Sequence, residues 1–113
     1  MTSARFRELA LRLPEVVESA HMGHPDFRVG GRIFATLGYP DEKHGVLGLP
    51  PEEQRKLVEA RPDVFEPAAG AWGRRGSTQV LLAKARETEV RRGLAQAWCK
   101  IAPKKLLARM RPE

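Results

Sequence analysis

Apolar residues recur along the chain with two periods, and the switches between them mark the elements. Phe6, Leu9, Ala10 and Leu13 fall at i, i+3, i+4 and i+7, one stripe of a helix. Thr2 or Ser3 supplies its cap and Pro14 its stop. Val16 to Met22 alternates weakly and predicts a strand, and His24-Pro25-Asp26 has the composition of a turn. Two β-favouring runs then flank Gly30-Gly31, a pair able to take the positive φ angles of a two-residue hairpin. That turn sets Val29 opposite Arg32 and Phe27 opposite Phe34, with the two aromatic rings on one sheet face. Of Gly31 and Gly76, only Gly31 is expected in a positive-φ turn, so Gly31→Val is expected to be far more damaging than Gly76→Val. Tyr39 to Lys43 predicts a polar turn and His44 to Leu49 a further strand.

The second half repeats the alternation of periods. Pro50-Pro51-Glu52-Glu53 opens a helix, because proline is tolerated in the first turn and acids there suit the helix dipole. Leu57, Val58 and Ala60 form its inward side, and Arg61-Pro62-Asp63 ends it. Val64 to Glu66 is extended, and residues 67–76 read as a Gly/Ala-rich loop whose Trp72 packs over the core or the sheet edge, with stacking on a base as the alternative. Ser77 to Ala83 predicts a strand with Thr78, Val80 and Leu82 on one face. A long helix follows, capped by Thr88, with Val90, Leu94, Ala97, Trp98 and Ile101 as a broad apolar stripe. Pro103 breaks it, and Lys104 to Met110 forms a short last helix with Leu106, Leu107 and Met110 inward. The order α-β-β-β-β-α-β-β-α-α implies an α+β fold: one two-layer domain over residues 1–113, an antiparallel sheet packed by N- and C-terminal helices.

Composition narrows the function classes. A length of 113 residues suits one core. No apolar run nears the roughly 18 residues that span a bilayer, and residues 1–7 lack the apolar segment of a signal peptide. Cys99 is the only cysteine, so no internal disulfide forms, and a cytoplasmic monomer is expected. The formal charge of +6 is uneven: nine Lys/Arg face eleven Asp/Glu before Arg74, and eleven face three from Arg74 onward. Such asymmetry points to an anionic partner.

The candidate contacts follow from that charge. On the long helix Arg92, Gln96 and Lys100 share a stripe turned from the apolar one, with Arg91 at its border; Lys104, Lys105, Arg109 and Arg111 extend it. Cations clustered within a Debye length of about 8–10 Å add their potentials, and phosphate backbones reward this by counterion release. The run Gly70-Ala71-Trp72-Gly73-Arg74-Arg75-Gly76 adds two arginines beside exposed backbone N–H groups. It lacks the Lys-Ser/Thr ending of a P-loop. Nothing resembles a helix-turn-helix or a zinc finger, so base-specific reading is not expected. His21 and His24, three apart on a strand, would point to opposite faces unless a turn brings them together, and a closed site needs more ligands, so no metal site with Asp26 is expected. Cys99 beside Trp98 reads as a partly buried structural thiol. No spacing suggests a catalytic triad or paired carboxylates, so neither an enzyme nor a cofactor is expected.

Several of these residues also carry a likeness. Leu13-Pro14, the run Pro25-Asp26-Phe27-Arg28-Val29-Gly30-Gly31-Arg32-Ile33-Phe34-Ala35, Trp72-Gly73 with Gly76-Ser77-Thr78, Ala97-Trp98 and Ala102-Pro103-Lys104 resemble the MmcQ/YjbR family over nearly the whole chain. The resemblance implies a CyaY-like double-wing α+β fold and, by the label members often carry, DNA binding, with no agreed set of contact residues. That fold is similar to frataxin-like proteins, which bind iron through an acidic first helix. Here the helix carries Arg5, Arg7 and Arg12 against Glu8 alone, and iron wants carboxylate ligands, so no iron role is expected. The sequence thus leads to a module binding double-stranded DNA weakly and non-specifically through Arg74, Arg75, Arg91, Arg92, Lys100, Lys104, Lys105 and Arg109. The alternative is an adaptor for an unidentified protein or small ligand, using the Trp72 loop and the sheet face.

Overall fold

A computed structural model describes residues 1–110. They form α1 (Ser3–Leu11), β1 (Val17–His21), β2 (His24–Val29), β3 (Arg32–Leu37), β4 (His44–Gly48), α2 (Pro51–Ala60), β5 (Phe65–Pro67), α3 (Gly70–Arg74), β6 (Ser77–Leu81), α4 (Glu87–Ile101) and α5 (Lys104–Met110). The Arg111 cation and the inward side chain expected at Met110 lie outside what is described. The six strands make one antiparallel sheet in the order β1-β2-β3-β4-β6-β5. The α+β reading holds.

Alternation along the strands sends one set of side chains to the core. Phe27, Val29, Leu37, Leu47, Thr78, Val80 and Leu82 are buried with Phe6, Leu9 and Ala10 of α1 and Val90, Leu94, Ala97 and Trp98 of α4. Phe6 and Phe27 meet at 6.1 Å between ring centroids, which ties the first helix to the second strand. Trp98 buries its indole while donating from Nε1 to the Pro14 carbonyl at 3.0 Å, so its one polar atom is satisfied. On the opposite face the register aligns Ser19, Asp26, Thr36, Val46, Gln79 and Glu66 in one row across all six strands.

Several local expectations are corrected. Gly30-Gly31 does form the hairpin turn, with both φ positive, and Val29 does face Arg32. Phe27, however, pairs with Ala35 rather than Phe34, because the register shifts between Phe27 and Arg28. A bulge of this kind puts two residues opposite one, which lets consecutive Phe34 and Ala35 both reach the core. The turn expected at His24-Pro25-Asp26 lies at Met22-Gly23 instead, and those three residues begin β2. On α2 the inward stripe is Gln54, Leu57 and Val58; Ala60 lies two residues further round and is exposed. Arg86, not Thr88, precedes the first turn of α4, where the Glu89 carboxylate accepts from the Arg86 N–H at 2.9 Å. The loop expected over residues 67–76 contains α3. Cys99 is exposed rather than partly buried.

Candidate nucleic-acid interface

Strand direction sorts the connections to two ends of the sheet. At one end lie the Gly30-Gly31 turn, the exit from β4 at Gly48, and the entry to β6 at Ser77. At the other lie the Met22-Gly23 turn, the β3–β4 connection and the residues leaving β6. The α3 segment, joining β5 to β6, belongs to the first end, because Pro67 and Ser77 lead into and out of it there.

This first end is built around Lys100. Its ammonium donates to the carbonyl of Leu49 at 3.0 Å and to that of Arg75 at 2.9 Å. One side chain thereby joins the end of α4, the chain leaving β4 and the cap of α3. Burial pushes the Lys100 pKa down, and the nearby charge of Arg32, just past the hairpin turn, adds to the effect. Pro103 sits against the same turn: a Cβ on Gly30 would come within 2.8 Å of its Cγ. Arg32, Lys100 and the start of α5 at Lys104 therefore converge with Arg74 and Arg75.

The same end is stiff. Gly76 has φ +114°, and a Cβ there would stand 1.8 Å from the Leu49 carbonyl oxygen. Gly73 is just as close to the Ala68 carbonyl. The buried amide of Gln54 donates to the Gly73 carbonyl at 2.9 Å and to that of Ser77 at 3.1 Å, holding α3 to α2 and to β6. No sequence pattern marked Gln54, because a polar residue inside an apolar stripe reads as an exposed one.

The structure divides the eight candidate cations. Arg74, Arg75 and Lys104 are exposed at this end, and Lys105 and Arg109 extend them along α5; none has a carboxylate within 4 Å among the described residues. Lys100 belongs to the group but serves as its brace. Arg92 lies in an open cleft of about 440 Å³ between α2 and α4, beside Glu53, Glu89 and Gln96. Arg91 pairs with Glu87 at 2.9 Å, one turn earlier on α4. Arg32, which the sequence did not single out, joins the group through the hairpin register. Acids at this end are Glu15, Glu52 and Glu53, the last engaged by Gln96 at 2.9 Å and Lys56 at 3.6 Å.

Trp72, expected to pack, is 69% exposed. Three of the residues three and four positions away, Ala68, Ala69 and Gly76, have side chains too small to cover its ring.

The histidines sit at the other end, brought together by a turn rather than set along one strand. The Met22-Gly23 turn makes His21 and His24 cross-strand partners, 6.4 Å apart between ring centroids. His21 Nδ1 donates to Asp26 Oδ2 at 2.8 Å, and Arg28 donates to both carboxylate oxygens, at 2.8 and 3.0 Å. The Arg28 hydrogen bonds, then that of His21, hold the Asp26 carboxyl below its ordinary range, although burial opposes them. Among the described residues no group of three or more His, Cys, Asp or Glu side chains is placed to hold a metal ion.

No described helix is long and apolar enough to cross a membrane. A search of curated proteins gave no match. Deinococcus radiodurans protein DR2400, described as a DUF419 domain, superposes with a TM-score of 0.77 over 92% of this chain and 80% of its own, at 19% identity, a likeness of fold. A profile of the YjbR family matches residues 11–100. With that match spanning most of the sequence, the chain belongs to the MmcQ/YjbR family.

Proposed function

We propose that this chain is a monomeric, non-enzymatic cytoplasmic module that binds nucleic acid through its phosphates, without reading sequence. One observation carries the proposal: Arg32, Arg74, Arg75 and Lys104 gather at one end of the sheet without carboxylate partners among the described residues. Elsewhere Arg5, Arg7, Arg28, Arg61 and Arg91 pair with acids, although Lys43, Lys84 and Arg86 at the opposite end also lack a carboxylate within 4 Å among the described residues. A guanidinium already paired has little to gain from a phosphate. One held without a carboxylate gains a charge-assisted bond and releases counterions from the nucleic acid. Charge rather than base contact sets the affinity, and no helix or ribbon is shaped to enter a major groove.

The test is fluorescence anisotropy with two unrelated duplexes over a salt series. With about four phosphates engaged, the slope of log K against log salt is expected near −4, at about −0.9 per phosphate, with Kd about 10⁻⁴–10⁻⁶ M at physiological salt. Replacing Arg32, Arg74, Arg75 and Lys104 with Gln flattens that slope and weakens both duplexes alike. Replacing Lys43, Lys84 and Arg86, exposed cations of the opposite end, leaves it nearly unchanged. No binding at low salt, or equal losses from both sets, would contradict the proposal.

A further inference from the structure

We infer that the basic end is suited to single-stranded rather than double-stranded nucleic acid, with the Trp72 indole as the platform for an unpaired base; this rests on the phosphate-binding reading above. Trp72 is the most exposed aromatic side chain described, and α3 holds it beside Arg74 and Arg75. The backbone stays helical through Arg75, with φ −88° and ψ −3°, so Trp72 and Arg75 stand three residues apart on one helix face. One residue offers a flat apolar ring and the other a cation, the pair that a nucleotide's base and phosphate require. In a duplex the base faces are covered by their neighbours, so an exposed indole contributes nothing along its length. A single strand presents every base face and stacks on aromatic rings without sequence preference.

The mounting supports the same conclusion. Lys100 fixes the Arg75 carbonyl and Gln54 fixes the Gly73 carbonyl, one on each side of the helix end. At Gly73 and Gly76 the backbone packs so closely on the Ala68 and Leu49 carbonyls that no Cβ would fit. The indole is thus held outward by a braced turn.

The shared ligand chemistry is a phosphodiester strand with unpaired bases, from DNA or RNA. The probes are labelled oligo(dT) and oligo(rU) of about 10 nucleotides, a length within the usual single-strand site sizes, and a duplex carrying the same number of phosphates. The wild-type chain is expected to bind a single strand several-fold more tightly than the duplex at matched salt. Tryptophan emission should be quenched on binding, and the signal belongs to Trp72 because Trp98 is buried. Trp72→Ala should weaken single-strand binding by about 5- to 100-fold, remove the quenching and change duplex binding less than about twofold. Trp72→Phe should keep most of the affinity. Tighter binding of oligo(dT) or of oligo(rU) supports the inference and assigns the sugar. Duplex binding equal to that of both single strands, or a Trp72→Ala loss shared equally by all probes, overturns the inference and leaves the phosphate reading standing. Failure of all three probes to bind at low salt overturns both.

Discussion

The two ends of the sheet handle charge in opposite ways. At the Met22-Gly23 end, acids and bases meet: His21 and Arg28 on Asp26, His44 on Asp41, Arg5 and Arg91 on Glu87, Arg61 on Glu89. The Glu87 and Asp41 carboxyls are held below their ordinary ranges, by Arg5 and by His44 respectively. At the Gly30-Gly31 end Lys100 and Gln54 bond backbone carbonyls and Glu53 is engaged by Gln96 and Lys56, while Arg32, Arg74, Arg75 and Lys104 are exposed with no carboxylate within 4 Å among the described residues. Three cations of the Met22-Gly23 end, Lys43, Lys84 and Arg86, are also exposed and lack a carboxylate within 4 Å among the described residues, but the charge of Lys43 already acts on Asp41. An end braced through its backbone, with cations uncommitted, holds charge ready for something else. The difference shows that a count of basic residues along the last third of the chain does not say which cations are free to take a partner; the contacts of each cation do.

Breaking the brace is expected to have the largest effect. Gly76→Val places a side chain against the Leu49 carbonyl at a positive φ, so strain and overpacking add to about 4 kcal/mol. Gly31→Val, where a Cβ meets nothing within 4 Å, carries only the backbone strain, about 1–2 kcal/mol. Urea denaturation midpoints measure both. The order is the reverse of the sequence expectation, which assigned the positive φ to the hairpin alone. Equal losses would mean that the β4–β6 approach yields.

The opposite end is tested through pH. Asp26→Asn removes the charge that Arg28 and His21 face, at a cost of about 2 kcal/mol near neutrality. The folded-state pKa of Asp26 lies below the unfolded value of about 3.9, so the unfolded chain takes up the proton first. Its contribution is therefore complete above about pH 5 and is lost as the pH falls through 4 toward the folded value. The stability gap between wild type and Asp26→Asn, from urea titrations at several pH values, should narrow over that range. A gap constant down to pH 3 would show that the ion pair is not what holds this end.

The fold was largely legible because burial imposes a period on the sequence. The stripes Phe6-Leu9-Ala10 and Val90-Leu94-Ala97-Trp98, and the face Thr78-Val80-Leu82, are buried as their spacing required. The register of Phe27 was not legible, since a bulge and a plain hairpin both bury Phe34. The Met22-Gly23 turn was hidden by a neighbouring His-Pro-Asp with the same local chemistry, and that one displacement brought the histidines together. The α3 helix is set by tertiary bonds from Gln54 and Lys100, which local propensity in a Gly/Ala run cannot show. The basic end was half legible. Arg74, Arg75 and Lys104 stood out by composition, whereas Arg32 arrives through the hairpin and Arg91 is lost to Glu87.

The central claim is that the uncommitted cations at the Gly30-Gly31 end form the contact face. The direct measurement is a ¹H–¹⁵N NMR titration of the intact chain with a short oligonucleotide at low salt. Shift changes are expected to cluster at residues 30–32, 72–76 and 100–105, with the amides of His21, Asp26 and Asp41 unmoved. Changes centred on the Met22-Gly23 end, or on the Ser19-Asp26-Thr36-Val46-Gln79 row of the open sheet face, would contradict the account.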